Sequence, residues 1–270
     1  MNVLYYPRFP GGKCKALVIS YDDGSEHDRR LLDLFNRYGI RGSFYLNSGK
    51  LGQPHHISTQ EVQSLYRGHE VASHTVNHPD LTQLSDAAVR QEIRDDQRAL
   101  EDLTGQPVRG LAYPFGIYDA RILALLPELG IAYGRTATAT GTFQVPKHFL
   151  AWESSCHQNQ AMALGRRFLR HQSQEPALLY IWGHSYELDG FMSGDPSKNW
   201  DYLETLCRLL QGHAEIYYAT TIELVDYLNA LSALIPAGTE LSNTSTIPLW
   251  INWQNSDLML TPGSSVSLIP

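Results

Sequence analysis

Two adjacent carboxylates, Asp22 and Asp23, followed by Gly24, end the apolar run Ala16–Ser20. Parallel α/β folds place their active sites where strands end. Neighbouring side chains leaving a strand diverge, so one aspartate can hold a metal while the other acts as a base a few ångströms away. An Asp-Gly pair also suits a helix cap or an Asx-turn. A second run, Glu70–Ser73, leads into His74-Thr75-Val76-Asn77-His78. Histidines at i and i+4 on one helical turn can converge on a cation, and their nitrogens suit zinc. With 11 histidines in the chain the spacing alone carries little weight; its position at a strand end carries more. Two histidines and one aspartate leave coordination positions open for water. His184, in Ile181-Trp182-Gly183-His184-Ser185-Tyr186-Glu187, ends a third apolar run and is either a proton donor or a hydrogen-bonded structural residue. Ala112-Tyr113-Pro114-Phe115-Gly116 is a turn that can aim a backbone N–H at a developing oxyanion.

Seven short β-type runs are available to position these groups: 16–20, 42–46, 70–73, 110–113, 131–135, 177–182 and 215–218. Between and after them, 28–38, 59–67, 85–104, 118–128, 160–171, 198–211 and 222–231 carry apolar residues at helical spacing. Ser85 is the expected N-cap of the longest, and Gly39, Gly105 and Gly130 the expected stops. Such alternation calls for parallel strands joined by right-handed crossovers, which an open doubly wound sheet and a closed β/α barrel both satisfy. Past residue 233, Ile235-Pro236-Ala237-Gly238 breaks the last helix. Pro248–Trp253 and Val266–Ile269, with Thr261-Pro262-Gly263 as a turn, predict a β appendage of two or three strands. Length agrees: 270 residues are about 1.8 average domains, here a catalytic unit over 1–233 and an appendage over 234–270.

The formal charge of −7, from 21 basic and 28 acidic side chains, supplies no footprint for a phosphate backbone, so a nucleic-acid partner is not expected. The N-terminus lacks a basic region leading into an apolar stretch of signal-peptide length, and no apolar run approaches the roughly 18 residues of a membrane span. A cytoplasmic chain is the expectation. Cys14, Cys156 and Cys207 are odd in number and widely spaced, which suggests packed thiols and no disulfide framework.

The four strand-end motifs, in this order, resemble those of the polysaccharide deacetylases with a NodB-homology domain, carbohydrate esterase family 4. SYDDG (20–24), HTVNH (74–78), AYPFG (112–116) and IWGHSYE (181–187) carry the resemblance, which covers about residues 14–230. It implies a distorted (β/α)7 barrel with its site at the C-terminal mouth. It also implies a divalent metal on Asp23, His74 and His78, zinc foremost although other ions serve within the family. By the same resemblance Asp22 is the base, His184 the acid, and the Phe115 N–H an oxyanion donor. The implied activity removes an N-acetyl group from an amino sugar or polysaccharide precursor, so an N-acylated carbohydrate is the expected partner. An amidase or deformylase acting on a non-acetyl or cyclic amide, and a non-catalytic carbohydrate-binding module, stand as alternatives.

Two departures matter. The third motif usually carries an arginine two residues before its proline, thought to orient the catalytic aspartate, and this chain has Ala112 there. Arg135, ending the next strand, is the candidate replacement. The fourth motif, an aspartate and a tryptophan that tune the acid histidine, is not evident. Trp152 is a candidate wall of the site, though core packing suits it better, and His157 a candidate for the cleft. Tyr186 and Glu187 are open to contact with substrate or with the groups around the site, while a helix start accounts for Glu187 nearly as well.

Overall fold

Two runs near the N-terminus take different parts: Tyr6–Arg8 (β1) is a short edge piece, whereas Lys15–Asp22 (β2) buries all eight of its residues. Burial on both faces is what a central parallel strand requires. The computed structural model describes residues 5–190 and 195–269; expectations for residues 1–4 and for Pro270 lie outside them. From β2 the chain runs through α1 (Asp28–Arg37), β3 (Ser43–Leu46), α2 (Val62–Leu65), β4 (Glu70–Ser73), α3 (Asp86–Thr104), β5 (Gly110–Ala112), α4 (Ala120–Leu125) and β6 (Tyr133–Ala139). It continues through β7 (Trp152–Ser154), β8 (Cys156–His157), α5 (Ala161–Arg170), β9 (Ala177–Gly183), α6 (Trp200–Leu210), β10 (Ile216–Tyr218) and α7 (Thr221–Ser232).

The sheet built by β2 to β10 is parallel throughout and closes on itself. Trp152 in β7 pairs with Arg135 in β6, while Cys156 and His157 in β8 pair with Ile181 and Trp182 in β9. The run 152–157, broken only at Ser155, thus joins the two ends of the sheet. The fold is a distorted (β/α)7 barrel, and the open-sheet alternative does not apply. Its distortion is visible at β2, which pairs with β10 along Lys15–Leu17 and with β3 only from Ser20 onward.

This closing strand is absent from the seven expected from the sequence. Glu153, Ser154 and Ser155 interrupt its apolar character, so nothing in WESSCH has the look of a buried run. The expected helices all form, although 59–67 shrinks to a 3-10 turn and the single α turn of α2. Ser85 caps α3 by accepting the Ala88 N–H, and Gly105 closes it in the left-handed conformation.

Tyr45, Tyr133 and Tyr180 meet inside the barrel, with hydroxyls 3.1 and 3.0 Å apart around Tyr45. Trp152 packs edge-on against Tyr133 and Tyr180 and is 1% exposed, so it belongs to the core and does not wall a cleft.

The C-terminal segment holds five strands where two or three were expected: β11 (Ile235–Ala237), β12 (Glu240–Ser242), β13 (Leu249–Trp253), β14 (Ser256–Leu260) and β15 (Ser265–Ser267). β1 pairs antiparallel with β13, so part of the stretch assigned to the barrel joins the appendage instead. Leu249, Ile251, Leu260 and Leu268 share one buried apolar cluster with Ala16 and Val18 of β2 and Leu224 of α7. That burial fixes the appendage on the barrel. No helix among the described residues is long and apolar enough to cross a membrane.

Candidate active site

β2 delivers Asp22 and Asp23 to the barrel mouth, and the backbone sends them apart. Asp22, 2% exposed, is still within the strand, whereas Asp23 turns out of it at φ 77° with its N–H donating to Tyr45 O at 2.9 Å. The Asp22 carboxylate accepts a hydrogen bond from the guanidinium of Arg135 through Oδ2, while its buried Oδ1 has no partner. Arg135 is held in place by rings, its guanidinium carbon 4.7 Å from the centre of Trp182 and 5.3 Å from that of Tyr45. Ala112 and Arg135 are register partners across β5 and β6, so the guanidinium arises one strand over at the same height.

His74 and His78 face Asp23, their Nε2 atoms 3.8 and 4.0 Å from its Oδ1. The convergence is achieved differently from the sequence expectation. Residues 74–78 form no helical turn; Thr75 and His78 sit at φ 66° and 59°, and the loop folds back by local bonds. Asn47 Nδ2 donates to the carbonyls of His74 and Thr75, and Thr75 Oγ1 accepts the His78 N–H. Asp96 of α3 accepts from Ser73 Oγ and the His74 N–H, clamping the end of β4. Burial pushes the Asp96 carboxyl up to about 6.

His74 Nδ1 lies 2.8 Å from the Ala112 carbonyl oxygen. A carbonyl only accepts, so Nδ1 carries the proton and the Nε2 lone pair is turned toward Asp23. Burial, which disfavours the imidazolium, lowers the pKa of both histidines, that of His78 to about 4. For Asp23, burial works upward but the facing His74, His184 and His78 prevail and hold the carboxyl low. Two neutral imidazoles and one carboxylate, with ligand atoms all within 4.8 Å of one another, are a donor set that fits a divalent cation such as zinc.

His184 follows the end of β9, with Nε2 3.9 Å from both Asp22 Oδ2 and Asp23 Oδ2. Its other nitrogen, Nδ1, pairs with Glu187 Oε1 at 2.9 Å. Glu187 is the group that sequence reading left unresolved: Oε2 accepts from Gln158 Nε2 at 2.8 Å and faces His157 Nε2 at 3.2 Å. Gln158 in turn donates to the His184 carbonyl and accepts from Tyr21 OH. Only the three-residue spacing from His184 hinted at Glu187, and nothing hinted at Gln158. Burial works against the protonated form of His184, but the Glu187 bond and the nearby Asp22 and Asp23 charges outweigh it, so its pKa stands above the ordinary histidine value. Burial likewise raises Glu187, yet the hydrogen bonds with His157 and His184 prevail and hold it far below the usual carboxylate range.

Phe115 occupies the turn after β5 at φ 59°, and its ring, 61% exposed, stands edge-on to His78 at 4.5 Å between centroids. Tyr186 closes the opposite side, its OH 3.4 Å from Asp23 Oδ2 and its ring 5.0 Å from that of His184. All seven candidate residues except Phe115 are therefore linked by direct contacts around the two carboxylates, and Phe115 touches the cluster through His78.

Residues 10–134 match the polysaccharide deacetylase family model. A chitooligosaccharide deacetylase of Bradyrhizobium sp. is 28% identical over 122 residues, which are 44% of this chain and 54% of that protein. The chain spans between 26% and 54% of the length of the first four curated relatives it matches. Among solved structures, a candidate polysaccharide deacetylase from Mycobacterium smegmatis superposes with a TM-score of 0.63 at 18% identity, covering 84% of this chain and 94% of that one. The Xyl-CE4 domain of a multidomain xylanase from the hindgut metagenome of Trinervitermes trinervoides gives 0.56 at 19% identity, covering 80% and 92%.

Proposed function

We propose that the chain, whose residues 10–134 match the polysaccharide deacetylase family model, hydrolyses the N-acetyl amide of an amino sugar, within a polysaccharide or a precursor of one. The carrying observation is the division of labour between neighbours: Asp22 is bound by Arg135, Asp23 faces two histidines, and His184 stands 3.9 Å from both. A carbohydrate-binding module needs no such base, ligand set and acid together.

Asp23, His74 and His78 would hold the metal, zinc by the chemistry of the donors; when bound it polarises the amide carbonyl and lowers the pKa of water. Asp22 takes the proton from the attacking water through Oδ1, the oxygen that Arg135 leaves unpaired. Arg135 holds the carboxylate at that angle. The Phe115 N–H donates to the developing oxyanion. His184, protonated on Nε2 and braced at Nδ1 by Glu187, gives its proton to the departing amine. Phe115 and Tyr186 flank the opening as faces for a sugar ring.

Acetate release from a panel of N-acetylated oligosaccharides and nucleotide-linked or lipid-linked amino sugars tests this. Turnover is expected on at least one, lost with chelator and restored by zinc. Turnover of a cyclic or formyl amide with no acetate from any sugar would overturn the deacetylase reading in favour of an amidase.

The acid role has its own signature. His184 acts while protonated, so activity falls as pH rises through its pKa, and Glu187 keeps that pKa high. Glu187→Gln is therefore expected to lower kcat and to move the alkaline limb of the kcat profile to lower pH. An alkaline limb that stays in place would show that His184 does not own it.

A further inference from the structure

Beyond the Asp23 triad, one more group of donors converges among the described residues: His157, His184 and Glu187, whose ligand atoms also lie within 4.8 Å of one another. We propose that these three form a second divalent-cation site, zinc-binding and weaker than the first, whose filling withdraws His184 from proton donation. The regulatory consequence rests on the reading of His184 as the acid; the site itself does not.

The geometry favours a cation as an occupant. Bonds of about 2.0–2.1 Å at tetrahedral angles place neighbouring donors about 3.4 Å apart. Glu187 stands 3.2 Å from His157 Nε2 through Oε2, close to that spacing, and 2.9 Å from His184 Nδ1 through Oε1, so a small outward shift of one ring would seat the ion. Two imidazoles and a carboxylate are also a donor set that zinc accepts. The donors come from braced elements. His157 in β8 is the register partner of Trp182 in β9 and packs edge-on against its ring at 4.8 Å, and Gln158 ties the Glu187 carboxylate to the His184 carbonyl. Side-chain exposures of 22%, 19% and 12% for His157, His184 and Glu187 leave the group open at the mouth.

The weaker affinity follows from what must be given up. In the first triad the donors face one another without short mutual hydrogen bonds, whereas here a cation must displace the bonds from Glu187 to both histidines. A cation in this place takes His184 Nδ1 and Glu187 together and fixes the ring to the wall of the mouth. Zinc is then expected to activate at one equivalent and to inhibit at higher free concentration.

The test uses the full chain, stripped with chelator, with zinc alone added against a fluorescent indicator of free metal. The native protein is expected to take up two equivalents, His157→Ala one, His78→Ala one, and the exposed control His55→Ala two. Zinc-edge anomalous scattering from soaked crystals should place the second ion beside His157. His157→Gln, a milder change, should also take up one equivalent, and melting by circular dichroism establishes that each variant is folded. In turnover, excess zinc is expected to inhibit the native enzyme about tenfold and His157→Ala less than twofold. Uptake of a single equivalent by the native protein, or of two by folded His157→Ala, overturns the second site. Two equivalents with no acetate released from any substrate would leave the site standing and remove the deacetylase reading; one equivalent with chelator-sensitive acetate release would do the reverse.

Discussion

Arg135→Met is expected to lower kcat about 100-fold or more, and Ala112→Arg added to it is expected to restore a substantial part of the loss. The first expectation comes from burial. Asp22 and Arg135 are both 2% exposed, so removing the guanidinium leaves a carboxylate with no hydrogen bond on either oxygen and only the His184 ring, 3.9 Å from Oδ2, to face it. Breaking a buried pair in this way costs up to about 3–5 kcal/mol. Loss of the carboxylate's fixed angle adds to the effect, since a misplacement of about 1 Å can cost about 100-fold. The second expectation comes from register. Ala112 lies opposite Arg135 across β5 and β6, and both side chains are buried, so methionine at 135 frees volume beside the position from which a new arginine would extend. Arg135→Lys should rescue poorly, because an ammonium cannot lie flat between Trp182 and Tyr45 while reaching Asp22. The measurements are kcat on the best sugar of the panel and the melting temperature of each variant. Full activity in Arg135→Met, or no gain from Ala112→Arg in a double variant that is folded, would sink the claim that the arginine is positional in purpose and interchangeable between the two strands.

That exchange of strands shows what a sequence can disclose and where it stops. Arg135 was legible because the third motif lacks its arginine and a guanidinium from the next strand could replace it, although that strand, expected to end at 135, runs on to Ala139 and places Arg135 within β6. Asp22, Asp23, His74 and His184 are legible because polar residues that end an apolar run emerge at the barrel mouth, and Phe115 through the motif resemblance that implies its N–H. The run 152–157 was not, because a strand that closes a barrel over a single turn of chain can carry Glu153 exposed between buried Trp152 and Ser154. With that strand unseen, Gln158 and His157 had no assigned neighbours, although both flank Glu187. The pairing of Glu187 with His184 depends on a 3-10 turn, Ser185–Asp189, that brings residues three apart together, and the same letters would suit a helix start. His78 was found by spacing and misread in conformation: positive φ at Thr75 and His78 leaves no mark in a sequence when the residues are not glycine. The appendage was read as too small for a related reason. Its strands are short, several of its residues are exposed, and its strand β13 completes its sheet with β1 from the far end of the chain.

The neighbouring aspartates give the sharpest separation of roles. Asp22→Asn is expected to reduce kcat by about 100-fold to 10,000-fold, the range that loss of a general base produces, while metal uptake at the Asp23 triad stays unchanged. An asparagine oxygen can still accept the Arg135 bond, but its amide cannot take a proton from water at neutral pH. Asp23→Asn is expected to lose activity and metal together. It removes the single anionic ligand of the triad and leaves two imidazoles, and since loss of an outer partner alone costs about 10–100-fold in affinity, loss of this ligand should exceed that. Both variants are best made with His157→Ala, so that zinc taken up reports on one site only. Added zinc should then restore part of the activity of Asp23→Asn and none of Asp22→Asn. This asymmetry follows from the backbone, because Asp22 lies within β2 and turns inward to Arg135 while Asp23 leaves the strand at φ 77° toward His74 and His78. Two side chains one residue apart can act as base and ligand only if the strand ends between them. Equal loss of metal in both variants, or Asp22→Asn with more than a tenth of native kcat, would show that the two carboxylates share one function and would remove the basis of the proposed mechanism.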